Sequence, residues 1–136
     1  MLQGNPSSKA TTDDAWEDLV VSILAVNNYS LERTYRLLPG LREQDICCPG
    51  NLMRWDLSEI GRRLTAAGYH RGSFMTNQFA LRLSALGVMI EGKGLEPFTL
   101  IISGRDGRAI ADLLLPVNGI GAKVIASFLQ LRGIQR

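Results

Sequence analysis

Residues 113–131 read LLLPVNGIGAKVIASFLQL. An apolar helix end, Leu113-Leu114-Leu115, runs into Asn118-Gly119-Ile120-Gly121, and a second apolar helix leaves at once. Two glycines flanking one aliphatic residue predict a tight hairpin, because Gly accepts positive φ and lets backbones approach closely. Ile120 is expected between the two helices as their pin. Such a turn leaves the first N–H groups of the second helix unpaired and pointing outward. Those donors, with the positive end of the helix dipole, suit a phosphate. A contact made through the backbone at Asn118, Gly119, Ile120, Gly121 and Ala122 would grip DNA or RNA without reading its sequence. The competing reading is an ordinary helix-turn-helix corner with a glycine stop, since short Gly motifs are weak evidence. Pro116 and Asn118 sharpen the turn. Lys123 stands in the first turn of the outgoing helix, where the dipole disfavours a cation. A lysine there either reaches a bound phosphate or does chemistry.

Outward from the hairpin, the incoming helix starts at Asp106 or Gly107, so the helix-hairpin-helix unit spans residues 107–132. The stretch from Val88 to Gly104 has Gly92, Gly94, Pro97 and Gly104 around short apolar runs, and leaves a brief helix and an extended piece at Phe98 to Ile102 both open. Before it, Ser73 opens a long helix with Phe74, Met75, Phe79, Leu83 and Leu86 inward and Gly87 as its stop. Tyr69-His70-Arg71-Gly72 is a tight connection. Asp56 with Glu59 makes a capping box for a helix carrying Ile60 and Leu64, closed by Gly68. Asn51 begins a short turn through Met53 and Trp55, and Leu41 to Gly50 reads as loop. Ser30 caps a helix with Leu31, Tyr35 and Leu38, stopped by Pro39-Gly40. Thr12-Asp13-Asp14 is an acidic cap for an amphipathic helix carrying Trp16, Leu19, Val20, Ile23 and Leu24, which ends near Asn27-Asn28. Residues 1–12 are polar and expected to be a frayed, flexible terminus. No strand signal recurs, so the expectation is all-α, a single helical domain over residues 13–136.

The 136 residues suffice for one domain with a core, and 46% hydrophobic with 21% charged residues reads as globular. A net charge of +2 permits a nucleic-acid partner without arguing for one. The distribution says more. After Gly104, Arg105, Arg108, Lys123, Arg132 and Arg136 face only Asp106 and Asp112. Arg54, Arg62, Arg63, Arg71 and Arg82 make the middle basic too, so one basic face is an expectation. Solvated helix surfaces carry such arginines as well. No apolar run spans a membrane and no signal peptide opens the chain. The two cysteines, Cys47 and Cys48, are adjacent, and read as reduced thiols of an intracellular protein. With no Cys-x-x-Cys and one histidine, His70, no metal site is expected.

The stretch from Leu114 to Ile125 resembles the helix-hairpin-helix of the endonuclease III-like DNA glycosylases, whose pattern is Leu-x-x-Leu-Pro-Gly-Val-Gly-x-Lys-Thr-Ala. Leu114, Val117, Asn118, Gly119, Ile120, Gly121 and Lys123 fall on it in order. Asn118 replaces the proline, Val124 the threonine and Ile125 the alanine. The helix order from about Asp14 to Gly133 also resembles that family's six-helix barrel. Leu19 to Ser30 sits where the family has an apolar helix running into Ser-Ala-Gln-x-Thr. This puts the shorter Asn27 at the glutamine that enters the DNA stack. Ala66-Ala67-Gly68-Tyr69, before the Phe74 helix, looks like the family's Gly-x-Tyr, and His70 beside it could touch a phosphate.

The resemblance implies duplex DNA, damaged or abasic, as partner, and a flipped base. It implies that Lys123 attacks the sugar C1′, forms a Schiff base and then cleaves the strand. A helix N-terminus and partial burial would both favour the neutral amine this attack needs. Against it, no carboxylate follows Lys123, where the family places its catalytic aspartate. The four-cysteine iron–sulfur module of many members is absent, so no cofactor is expected, and neither is the family's second domain. Three readings stay open: a reduced base-excision-repair glycosylase or abasic-site lyase, a non-catalytic DNA-binding module that kept the hairpin, and a protein-interaction module. A partner chain supplying the other half of the site fits the same sequence, and exposed apolar surface would mark its docking place.

Overall fold

The computed structural model describes residues 7–25 and 31–134, and among these it is all-α, with nine helices and no strand. They are α1 (Ser7–Leu24), α2 (Leu31–Tyr35), α3 (Leu38–Glu43), α4 (Pro49–Arg54), α5 (Leu57–Ala66), α6 (Ser73–Lys93), α7 (Leu95–Ile102), α8 (Gly107–Leu114) and α9 (Ala122–Arg132). No described helix is long and apolar enough to cross a membrane.

α1 is the central helix. Ala15, Trp16, Leu19, Val20, Val21, Ile23 and Leu24 are all buried, which takes up most of its circumference. It packs against α2, α6, α7 and α9. Trp16 stacks on Phe98 of α7, ring centroids 5.6 Å apart and planes within 15°. α1 begins at Ser7 rather than at the Thr12-Asp13-Asp14 cap. No Gly or Pro interrupts the chain from Ser7 to Leu24, and Lys9 and Ala10 are good helix formers.

Pro39, Gly40 and Gly87, expected to stop helices, do something else, and Pro49, in the expected loop, opens one. Pro39 lies in the first turn of α3 and Pro49 opens α4. First-turn residues have no intrahelical use for their N–H, so proline is accepted there. Leu41 to Gly50 is therefore partly helical and not a loop throughout. Gly40 lies inside α3, because a Cβ there would stand 2.3 Å from the Ala67 carbonyl oxygen. Gly87 lies inside α6 for the same reason, with the Leu52 carbonyl oxygen 2.3 Å from its would-be Cβ. Backbone-to-backbone approach of α6 to α4 demands the glycine, and α6 continues past it to Lys93. Its 21 residues make a rod about 31 Å long at 1.5 Å per residue. Gly94, at φ +100°, ends α6, and α7 fills what the sequence left open at 98–102.

The Asp56 capping box forms as read: its Oδ1 accepts from the Glu59 N–H at 2.9 Å. Phe74 is the exception on α6. It is 72% exposed, because its helical phase sets it opposite Phe79, Leu83, Leu86 and Ile90. Leu81 and Val88 share its exposed face.

Candidate nucleic-acid interface

The hairpin is built from two amphipathic helices and a turn that the sequence forces closed. Asp106 Oδ1 accepts from the N–H groups of Arg108 and Ala109, each at 3.1 Å, and so starts α8. At its end, the Val117 N–H donates to the Leu114 carbonyl and the Ile120 N–H to the Val117 carbonyl, both at 3.0 Å. Val117 and Ile120 are 2% and 3% exposed. They are buried in the core together with Ile110, Leu114, Val124, Ile125 and Phe128. The bulky Ile125, where the family pattern has alanine, is accommodated at 1% exposure.

The two glycines of the turn differ. Gly119 has φ +91°, and a Cβ on it would stand 2.5 Å from Arg82 Cγ. The fold demands a glycine there twice over. Gly121 has φ −109° and ψ −171°, extended backbone that any residue adopts, and nothing stands within 4 Å of where its Cβ would be. The fold places no demand for glycine at 121. As N-cap of α9 it offers no side-chain cap, so the N–H groups of Ala122, Lys123 and Val124 have no intrahelical acceptor. Asn118, Gly119, Gly121, Ala122 and Lys123 are all exposed around this end. The arrangement offers backbone donors, the positive end of an 11-residue helix and one lysine to a single patch of solvent.

Lys123 is not desolvated. The partial burial expected of it is absent: it projects from the first turn of α9 into solvent, because the inward phase of that turn belongs to Val124 and Ile125. Tyr69 is also corrected. Its side chain is wholly buried, donating its hydroxyl to the Leu24 carbonyl at 3.3 Å and meeting Phe79 edge-on at 5.6 Å. Its side chain ties α1 to α6 from within the core. His70 is exposed on the rim of an open groove of about 610 Å³ between α5 and α6, with Arg62, Thr65, Ser73 and Asn77. Asn27 lies outside the described residues.

A line of cations connects the Tyr69–His70 turn to the hairpin. Arg71 donates to the Tyr69 hydroxyl at 3.2 Å and sits 5.6 Å from the Phe79 ring centre. Arg82, one helical stretch further along α6, lies 4.7 Å over the same ring and reaches the underside of Gly119. Arg82 appeared in the sequence only as one of several central basic residues. Its phase gives it away: it flanks the Phe79–Leu83 stripe, where a long side chain can lay its stem on apolar surface.

Elsewhere the chemistry is sparse. Cys47 and Cys48 are free; burial, then Glu17, pushes the Cys47 thiol up to about 12, which keeps it protonated. Among the described residues, no group of three or more His, Cys, Asp or Glu side chains could hold a metal ion. No family model matches the chain, and no curated or solved protein matches it either.

Proposed function

We propose that this protein binds duplex DNA through phosphate at the α8–α9 hairpin, as a DNA-repair or damage-recognition protein. The observation that carries the reading is the open start of α9: three N–H groups without a side-chain cap, at an exposed turn whose second glycine the fold itself does not need. A glycine the chain does not require makes sense where another backbone comes close. A phosphodiester seated there would accept from those amides and meet the Lys123 ammonium, independent of base sequence. The finer reading, a barrel like that of endonuclease III-like glycosylases, rests on the resemblance of residues 114–125 to that family's hairpin.

An exposed lysine at the start of α9 suits phosphate contact more directly than it suits a desolvated nucleophile. The deciding experiment is borohydride trapping on a duplex with an abasic site, beside Lys123→Ala, with a gel shift at low salt. A covalent adduct lost in the variant makes Lys123 a Schiff-base nucleophile and the protein a lyase. A shift without adduct leaves a binding module. Neither adduct nor shift overturns the DNA reading.

A further inference from the structure

Resting on the DNA reading of the hairpin, we propose that Arg82 is the side-chain half of its phosphate site, holding a strand phosphate from below while the α9 amides hold it from above. Three observations converge. Arg82 is half-buried, and its aliphatic stem fills the space under Gly119 so closely that no Cβ fits there. Its guanidinium carbon lies 4.7 Å over the Phe79 ring centre, and Arg82 also lines the groove beside the turn. That groove, about 430 Å³, runs between α6 and the turn and is bounded by Gln78, Leu81, Arg82, Asn118 and Gly119, with no carboxylate in its wall.

The third observation is what Arg82 lacks. Arg36, Arg42, Arg62, Arg63 and Arg132 each meet a carboxylate, and Arg105 meets two carbonyls. Among the described residues, no carboxylate or carbonyl takes the Arg82 guanidinium; the ring is its partner. A partly desolvated cation without an anion is costly to keep. An arginine fork is also the group that matches a phosphate in geometry. The groove opens beside Asn118 and Gly119, so an anion entering it lies at the hairpin and not at a separate place. The groove wall carries one cation and no carboxylate, so on the DNA reading the ligand class is a nucleic-acid backbone phosphate, to which Arg82 adds affinity without sequence preference.

The test measures binding of a duplex of about 20 base pairs by fluorescence anisotropy between roughly 50 and 200 mM salt, where each phosphate contact adds about 0.9 to the salt slope. Wild type is compared with Arg82→Met, which keeps the packed stem and removes the charge, and with Arg82→Lys, which keeps the charge. Helix content and melting temperature are recorded for each. Arg82→Met is expected to weaken binding and lower the slope by about one, with Arg82→Lys holding the wild-type slope. Should Arg82→Met fold poorly, Arg82→Gln replaces it. An unchanged slope in the neutral variant overturns the proposal, as does equal weakening by Met and Lys with early melting, which makes Arg82 a packing residue. Wild type and Arg82→Met binding alike while Gly121→Ala binds weakly overturns Arg82 and leaves the hairpin reading standing. No binding by wild type overturns both.

Discussion

The two ends of α9 face the same chemical problem and meet it differently. Both leave backbone groups without intrahelical partners. At the C-terminal end the protein satisfies them itself. Gly133 turns back at φ +66°, the Ile134 N–H donates to the Leu129 carbonyl at 2.9 Å, and the Arg105 guanidinium donates to the carbonyls of Arg132 and Gly133 at 2.8 and 3.0 Å. Beneath, the buried Arg132 side chain meets Asp18 of α1 at 3.3 Å, and the Tyr35 hydroxyl donates to the other Asp18 oxygen at 3.5 Å. At the N-terminal end no side chain caps the helix and the turn is exposed. An end closed from within is anchorage. An end left open is where, on the DNA reading, an outside acceptor would complete the structure.

Breaking the closed end gives the largest effect. Asp18→Ala leaves a buried guanidinium without its carboxylate and is expected to cost about 3–5 kcal/mol in a urea titration. The double variant Asp18→Leu with Arg132→Met is expected to recover most of that loss, because the pair, both members buried, is held at a desolvation cost. Asp18 itself shows that cost. Burial raises its carboxyl above the ordinary 3.8, outweighing the Arg132 guanidinium, which lowers it. The folded state therefore binds this proton more tightly than the unfolded state. Stability from this group is fully present below 3.8 and declines as pH rises from there through the raised folded value. Asp18→Asn removes that decline. A decline of the same size in the variant would assign it to other carboxylates.

The open end is tested first through its two glycines. Gly119→Ala places a Cβ at φ +91° and against the Arg82 stem, and is expected to cost about 1–3 kcal/mol of stability, read as a lower melting temperature. The distortion moves the turn, so DNA affinity falls with it. If Gly119→Ala melts like wild type, the turn is softer than its dihedral implies and the contrast between its glycines collapses.

What the sequence disclosed follows the same division. The hairpin was legible because its signals are local: an Asp cap, an apolar run, Gly-Ile-Gly and a second apolar run, with bounds at 107 and 132 that match α8 and α9. The α5 cap was legible for the same reason. Gly40, Gly87 and Pro39 misled because their purposes are tertiary or positional. A glycine admitting the carbonyl of Leu52 looks in one dimension like a glycine that stops a helix. Tyr69 matched a family pattern, but whether its ring faces a partner or the core depends on Phe79 and Leu24, distant in sequence. For Arg82 the sequence held only the local half of the signal, its phase beside the Phe79–Leu83 stripe; its standing under Gly119 is a pairing across the chain.

Arg105→Gln probes the closed end more gently. It withdraws a cation and two donors from exposed carbonyls at a helix C-terminus, an effect of about 0.3–1 kcal/mol at low salt that shrinks as salt is added. It leaves Asp18 and Arg132 in place. A loss as large as that of Asp18→Ala would mean that the anchorage lies in the carbonyl clamp and not in the buried pair.

The smallest effect on folding is the sharpest test of the comparison. Gly121→Ala adds one methyl at an extended residue with open space around it, and exchanges one uncapped N-cap for another. Its cost in stability is expected to stay below about 1 kcal/mol. Its cost in DNA binding has a different origin. A methyl beside the α9 amides keeps a phosphate from closing to hydrogen-bond distance, so affinity falls while the melting temperature holds. No other substitution on the hairpin separates the two quantities so cleanly: Gly119 mixes them through strain, and Lys123 mixes contact with charge. If Gly121→Ala binds duplex DNA as wild type does, the amides are not the contact, and the open end of α9 is an ordinary solvated terminus.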